Sequence, residues 1–447
     1  MSLTSLMADR LAHGRPIRAG VIGASKFATL FLAQARHLPA LHVAALADFN
    51  PERAHTALAL AAWPPAKAVA RSLADAIDSG GTWVTGDPMS LCEQEGLDVL
   101  FEASDCAPRA ISHAMAAMEC GIHVVMASIE ADALAGPWLA EQAARRGVIY
   151  SLAYGDQPAL ICELVDWARA CGFQIAAAGR GIAWKPGHQH ITPDNVWPHL
   201  RLTPEQARAK DLDIPSATAT LDGTRAALEL ASVANATLLE PPQSGLAFLP
   251  CGTHDLPHVF RPQHDGGRLP HAGMVEAASC LEPDGRAVAG ALRWGVFVTF
   301  TSPASHSTRS FAEFGLLTDD SGSYAARWRP HRLAGLEAAL SVISVCLRGE
   351  HTGCPRAWVA DVAAIAKRNL KPGDILDGIG GHTVRGILLP SNASVTGNLL
   401  PVSLSQGAVL KANVAAGQFI TLSQVDLGQP SQAVLDIRRQ MQGRQNA

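Results

Sequence analysis

The sequence has no Cys-x-x-Cys pair, no long uninterrupted apolar run and no surplus of basic residues, and each absence closes off a class of function. Its nine cysteines are scattered at positions 92, 106, 120, 162, 171, 251, 280, 346 and 354, most of them inside apolar helix or strand patterns. They read as buried thiols of a reducing compartment, not as a disulfide frame or a zinc site. Nothing is expected to span a membrane, and the opening MSLTSLMADRLAHGR lacks the charged-then-apolar layout of a secretion signal, so the cytoplasm is the expected location. A formal net charge of -4 provides no track for a phosphate backbone; the expected partner is a small molecule and not nucleic acid. Aromatic residues make up only 5%, against 48% hydrophobic overall, so Ala and Leu must carry the core, which favours helix-rich α/β layers.

At 447 residues the chain needs two or three cores. From Ile17 to about Tyr154, short apolar runs alternate with helical patterns, the layout of a parallel sheet with crossover helices. The strands are IRAGVIG, HVAALAD, TWVTG, LDVLFEAS, IHVVMAS and VIYSLAYG. Helices are expected over 25–36, 51–63, 88–95, 108–120 and 137–146. Continuous apolar strands imply that both sheet faces are covered. We therefore expect an α/β protein with an N-terminal Rossmann domain, a doubly wound parallel sheet, over 1–154. A central α+β domain for catalysis and oligomerisation follows over 155–353, then a small β-rich module over 354–427 and a loose helical tail over 428–447. The module holds two similar pieces, AKRNLKPGDIL and KANVAAGQFIT. The long polar stretch from Ile182 to Pro215 is the kind of loop that serves a site.

The strand AGVIG runs into Gly23-Ala24-Ser25-Lys26-Phe27-Ala28, in the place of a G-x-G-x-x-G/A dinucleotide motif with Ser25 at the second glycine. Such a motif needs a tight turn at Gly23, close approach to pyrophosphate at Ser25 and free amides at the helix start, including those of Lys26 and Phe27. Asp48 ends the second strand, where an acid accepts from the adenosine ribose hydroxyls and repels a 2′-phosphate, so NAD(H) is expected over NADP(H). Ser104, Asp105 and Ser128 end the fourth and fifth strands and are expected to line the nicotinamide half of the crevice. The alternative for each is an ordinary βα loop.

Hydride transfer from an alcohol needs a group that takes the proton. Acids near strand ends or helix starts are Glu130, Asp132, Asp156, Glu163, Asp222 and Glu229. Asp156 is either a helix cap or a site residue; Glu163 lies two turns on, among apolar neighbours. Asp222 caps a helix in which Arg225 and Glu229, four apart, can pair. Among the cations Arg180, Lys185, Lys210 and Arg225, with His188, His190 and His331, Arg180 stands out because its flanking glycines permit a ligand to approach. Lys185 is the proton-relay candidate if the 182–215 loop closes as a lid.

The segments VIGASKFA, FEASDCAPRAISHAMAAMECGIHVVMASIEAD, YSLAYGDQPALICELVDWARACGF, AAGRG and DGTRAALELASVANAT resemble the homoserine-dehydrogenase-related oxidoreductases that carry a C-terminal SAF module. The resemblance runs from Arg15 to about Leu427, the paired repeats matching the SAF module. It implies an NAD(P)-dependent oxidoreductase acting on a small hydroxy-carbonyl or sugar-derived acid or phosphate, with coupled isomerisation as in the 1-deoxy-D-xylulose 5-phosphate reductoisomerase-like members. Those members use NADPH and have basic residues where this chain has Asp48-Phe49-Asn50, and a glycine and an acid in place of Ser25 and Gln157. The Asn-Lys of homoserine dehydrogenase is replaced by Ser128-Ile129-Glu130-Ala131-Asp132. A divalent metal, as in the reductoisomerase-like members, would fall to Asp156, Glu163 and Glu229. The family also implies a homo-oligomer, for which the Ala-rich helix over 223–238 is suited. A non-catalytic dinucleotide or sugar-acid binding protein is the competing reading.

Overall fold

The computed structural model describes residues 2–200, 202–209 and 212–445. They form two units, one of residues 1–160 with 333–356, the other of 161–332 with 357–447.

The first unit is built on six parallel strands: β1 (Ile17–Ile22), β2 (Leu41–Ala47), β3 (Trp83–Thr85), β4 (Val99–Glu102), β5 (His123–Met126) and β6 (Tyr150–Leu152). Their order is β3-β2-β1-β4-β5-β6, the doubly wound Rossmann order, and each coincides with an expected strand. β1, β2, β4 and β5 are almost entirely buried, as their unbroken apolar runs require. One helix differs from expectation. Pro137 is tolerated in a first turn and marks a start there, yet the helix runs over Ile129–Arg145 with Pro137 inside it. Ser128-Ile129-Glu130-Ala131-Asp132 is therefore a helix start. The stretch 333–356 also belongs to this unit: its helix Ala339–Arg348 buries Val342, Ile343 and Val345 in the same core as Ile17 and Phe31. Backbone bonds fasten it to the sheet edge, Leu152 N–H donating to Gly353 O at 2.7 Å.

The second unit holds a mixed sheet of β7 (Gln174–Ile182), β8 (Leu249–Pro250), β9 (Met274–Ser279), β10 (Val296–Thr301), β11 (Leu317–Thr318) and β12 (Tyr324–Arg329). Its order is β11-β12-β10-β7-β9-β8, with β7 parallel to β9 and antiparallel to β10. The helix Thr224–Thr237 packs against β9 and against a hairpin of β13 (Ala360–Ala366) and β14 (Val384–Pro390), and every residue of it but Arg225 is buried. Its small side chains thus serve contacts inside the chain, not an oligomer surface.

The two repeated pieces pair with one another. Leu370 and Val414, at matching places in the repeat, exchange backbone bonds of 2.8 and 3.0 Å. Gly373 N–H donates to Leu410 O and Gly417 N–H to Ala366 O, both at 2.8 Å, so the repeat is a local twofold. β15 (Val409–Leu410) and β16 (Val425–Asp426) close this part. The terminal helix Gln429–Gln445 is docked, not loose: Arg438 binds the buried Asp361 and lies 4.7 Å over the Trp358 ring.

Arg180 on β7 is among the largest fully buried side chains, and its guanidinium pairs with Glu229 of the buried helix. Arg225 Nε donates to Glu229 at 2.9 Å, and Arg332 lies at 3.7 Å. Removing one partner leaves a charge in a low-dielectric interior, so Glu229→Gln is expected to destabilise the fold by about 3–5 kcal/mol. Urea unfolding followed by circular dichroism would show it; an unchanged midpoint would contradict it.

Candidate functional site

In the first unit the turn after β1 is built around Gly23, whose φ is +93° and whose position leaves no room for a side chain. A Cβ there would lie 2.5 Å from Ala103 O and 2.8 Å from Ser104 N, on the neighbouring β4 turn. Ser25 is the N-cap of the helix Lys26–Ala35, its hydroxyl accepting from Ala28 N–H at 3.3 Å. It therefore has a structural task that a glycine could not perform. The amides of Lys26 and Phe27, in the first turn, have no carbonyl above them and point where an anion is favoured. Asp48 is buried at the end of β2 and accepts from Ala24 N–H and Asn50 N–H, both at 2.9 Å. It thus braces the glycine turn with the same carboxylate expected to meet the ribose.

Beside it Phe49 is 53% exposed, with the Arg109 guanidinium 4.4 Å from its ring centre, a platform that the sequence did not advertise. Asp105 is exposed and meets Arg53 at 3.5 Å. Ser104 donates its hydroxyl to the fully buried Glu102, and Glu102 meets His113 Nδ1 at 2.9 Å, a buried Glu–His pair behind the β4 turn. Ser128 lies at the end of β5, where its hydroxyl is buried and, among the described residues, unpartnered. The orphaned Ser128 hydroxyl and the open amides of the helix start both fit a bound nucleotide.

Asp156 is buried at the head of the helix Gln157–Ala170, its carbonyl accepting from Leu160 N–H at 3.3 Å, the position of an N-cap. Asp132 accepts from the Tyr150 hydroxyl at 2.8 Å.

The second-unit candidates separate. Glu163 is exposed, and Glu229 is taken up by arginines. Among the described residues no group of three His, Cys, Asp or Glu is arranged to hold a metal, so Asp156, Glu163 and Glu229 do not form the expected cluster. Arg180 is held in the interior by Glu229, and its neighbouring glycines serve packing. A Cβ at Gly179 would run into Glu276 O of β9, and one at Gly181 would come within 2.8 Å of Arg293 N. Lys185 is half-buried with its Nζ against Gly285. His188 is buried and stacks edge-on with His199 at 4.7 Å; burial first, then the charges of His199 and Lys185, lowers it to about 4. His190 and His331 are exposed, and Lys210 lies outside the described residues.

Asp222 is the candidate that lines a cavity, one of about 230 Å³. It is fully buried at the start of the helix Thr224–Thr237, accepting from Thr224 N–H at 2.9 Å, while Gly223 takes the N-cap place. Its other oxygen lies 2.8 Å from Lys367 Nζ, which also donates to Ile191 O at 2.7 Å and Gly381 O at 2.9 Å. Burial raises the Asp222 carboxyl, and Lys367 opposes the shift. The remaining walls are Trp184 and Gln189, the 244–248 loop, and Arg385 to Leu388 of β14. Trp184 and Phe248 stack with ring centres 4.4 Å apart. Gly223 has φ +89°, and a Cβ on it would meet the Phe248 ring at 2.8 Å. The loop is held from beneath by buried Glu276, which accepts from Ala247, Phe248 and Ala277 amides.

Residues 155–338 match the family model of the catalytic domain of oxidoreductase DRL. The match covers less than half of the chain. Comparison with curated protein sequences finds no match. Among solved structures, biliverdin reductase from Synechocystis sp. PCC 6803 is 15% identical over 38% of this chain and 48% of that one, with a TM-score of 0.27; the match spans about half of the reductase's length. Scyllo-inositol dehydrogenase from Lactobacillus casei is 12% identical over 76% of this chain and 91% of that one, TM-score 0.37. Homoserine dehydrogenase from Thiobacillus denitrificans is 19% identical over 50% of this chain and 48% of that one, TM-score 0.35. Likenesses this distant say nothing about chemistry. Among the described residues no helix is long and apolar enough to cross a membrane.

Two outcomes follow from these geometries. Gly23→Ala forces a side chain into the β4 turn and is expected to weaken nicotinamide nucleotide binding at least tenfold, measured by fluorescence titration; unchanged affinity would remove the turn from the site. Burial lifts Glu276 from an ordinary 4.5 to about 7, so it takes up a proton on folding. The stability this confers is complete below about pH 4.5 and lost as pH rises through about 7. Glu276→Gln cannot ionise, so its Tm should improve relative to wild type as pH climbs over that window; parallel Tm curves would refute the assignment.

Proposed function

We propose that the protein is a nicotinamide-dependent oxidoreductase, favouring NAD(H), that moves hydride to or from a small hydroxy-carbonyl compound or a sugar-derived acid or phosphate. The carrying observation is the Gly23 turn, braced by Asp48 at the carboxyl edge of a Rossmann-ordered sheet; the match of residues 155–338 to an oxidoreductase catalytic domain supports the reading.

The nucleotide supplies the hydride or receives it. In this reading the amides of Lys26 and Phe27 bind the pyrophosphate, and Asp48 accepts from the ribose hydroxyls with its remaining lone pairs. Phe49 offers a face to the adenine. Ser104 and Ser128 present hydroxyls toward the nicotinamide half, Ser104 oriented by Glu102. Lys185, half-buried and next in sequence to Trp184 of the cavity wall, is the group assigned to proton transfer, with Asp222 holding the helix start rather than exchanging protons. No step is assigned to a metal, because the acids proposed to hold one are not gathered. Assembly as a homo-oligomer belongs to this reading through the family resemblance alone.

The resemblance to the reductoisomerase-like members implies a second reading, hydride transfer coupled to isomerisation of a hydroxy-ketone phosphate with NADPH, and the match to an oxidoreductase catalytic domain is compatible with either. Titrating both reduced nucleotides separates the two. NADH is expected to bind more tightly than NADPH by at least about tenfold, and Asp48→Ser to reduce that preference by a similar factor, since one charge-assisted hydrogen bond and one repulsion are lost. Tighter NADPH binding would overturn the preference. Absence of binding by either nucleotide would overturn the oxidoreductase reading.

A further inference from the structure

The cavity beside Asp222 gathers three charges. Asp222 and Lys367 neutralise one another at 2.8 Å, and Lys367 spends its other donors on two carbonyls. Arg385, on β14, is left over. Its side chain lines the cavity and, among the described residues, makes no hydrogen bond or ion pair. It is half-buried, and burial lowers its pKa from the ordinary value, with the Asp222 carboxylate opposing the shift. A half-buried guanidinium with no protein partner is open to a ligand, and its planar fork suits a carboxylate or a phosphate bidentately.

The rest of the cavity is suited to the body of such a ligand. Trp184 and Phe248 make a stacked aromatic wall, and the Trp184 Nε1 is buried with no hydrogen-bond partner among the described residues. Gln189 and Ser244 add polar groups at the rim. β14 is fixed against the central helix by Gly386 N–H donating to the Thr224 hydroxyl at 2.8 Å, a contact between residues 162 apart in sequence. The strand that carries Arg385 is therefore tied to the start of the central helix.

We infer that Arg385 is the anion anchor of the substrate site: the C-terminal hairpin completes a pocket that takes a small oxyanion-bearing molecule, its charged group on Arg385 and its body against Trp184 and Phe248. This gives the C-terminal module a part in specificity. The inference rests on the oxidoreductase reading only for calling the ligand a substrate; the anion site itself stands on the cavity.

The test is calorimetric titration of the full chain, without nucleotide, using glycerate, glycerol 3-phosphate and neutral glycerol. One of the two anions is expected to bind and glycerol not to. A glycerate response identifies a carboxylate site and a glycerol 3-phosphate response a phosphate site. Arg385→Gln is expected to weaken that binding at least tenfold, and Arg385→Lys, which keeps the charge but not the fork, by less. Trp184→Phe, a conservative change, should weaken it several-fold if the orphaned indole N–H contributes. The lysine variant keeps the comparison available if the glutamine variant folds poorly. No anion binding to the wild-type chain, or equal binding by wild type and both Arg385 variants, would overturn the anchor. NADH titration of the same samples keeps the readings apart: nucleotide binding without anion binding sinks this inference alone, and anion binding without nucleotide binding sinks the oxidoreductase reading alone.

Discussion

The buried pair of Asp222 and Lys367 is the constraint on which the second unit's cavity depends. Each is almost wholly removed from water, a state that neither charge tolerates by itself. Lys367 directly follows β13 and Asp222 stands just before the Gly223 N-cap of the central helix, so the pair locks the C-terminal hairpin to the helix start. With Thr224 and Gly386 hydrogen bonded alongside, β14 runs across the helix terminus and a cavity forms between them. Because Lys367 is fully engaged, the electrostatics of that cavity are set by what remains, which is the Arg385 cation.

A second buried pair works to a different end. Arg180 and Glu229 tie the β7 sheet to the same helix, both fully buried and neither among the residues that line the Asp222 cavity. Chemical character in the sequence does not distinguish the two. Arg180 between two glycines has the look of a ligand-binding residue, since glycine permits close approach. What approaches Gly179 is the carbonyl of Glu276 on the next strand, and what approaches Gly181 is the backbone of Arg293. The glycines are demanded by packing, and the arginine between them is demanded by a glutamate on the helix. Glu163 errs in the opposite direction: its local apolar neighbours suggest burial, yet it falls on the exposed face of its helix.

The first unit was legible because its determinants are local. Each strand is an unbroken apolar run, each crossover helix follows within a few residues, and the turn at Gly23 is specified by residues that adjoin it. Even there, the brace from Asp48 to Ala24 and the cap from Ser25 to Ala28 show residues with two tasks where the pattern suggests one. The helix start at Ile129 was hidden by Pro137, whose ordinary meaning as a first-turn residue was overridden by packing. In the second unit β9 and β12 lie within Gly-, Pro- and His-rich surroundings and were obscured by them. Arg385 and Lys367 had no local signal at all: Lys367 matters through Asp222 and Ile191, more than a hundred residues away, and Arg385 through a cavity whose walls include residues equally distant in sequence.

The C-terminal repeat explains how so short a segment can hold a cation firmly. Two pieces with the same pattern bond to each other about Leu370 and Val414, and the glycines at +89° and +81° donate symmetrically into the partner piece. The twofold arrangement satisfies backbone groups that short strands leave open. Arg438 then fastens the terminal helix to Asp361 on β13, the strand paired with β14. Support therefore reaches β14 from the hairpin, the repeat and the last helix, so that Arg385 is carried by a segment with few ways to yield. A half-buried cation with no protein partner favours an oxyanion over a neutral ligand, and a strand already held in place reduces what ordering costs on binding.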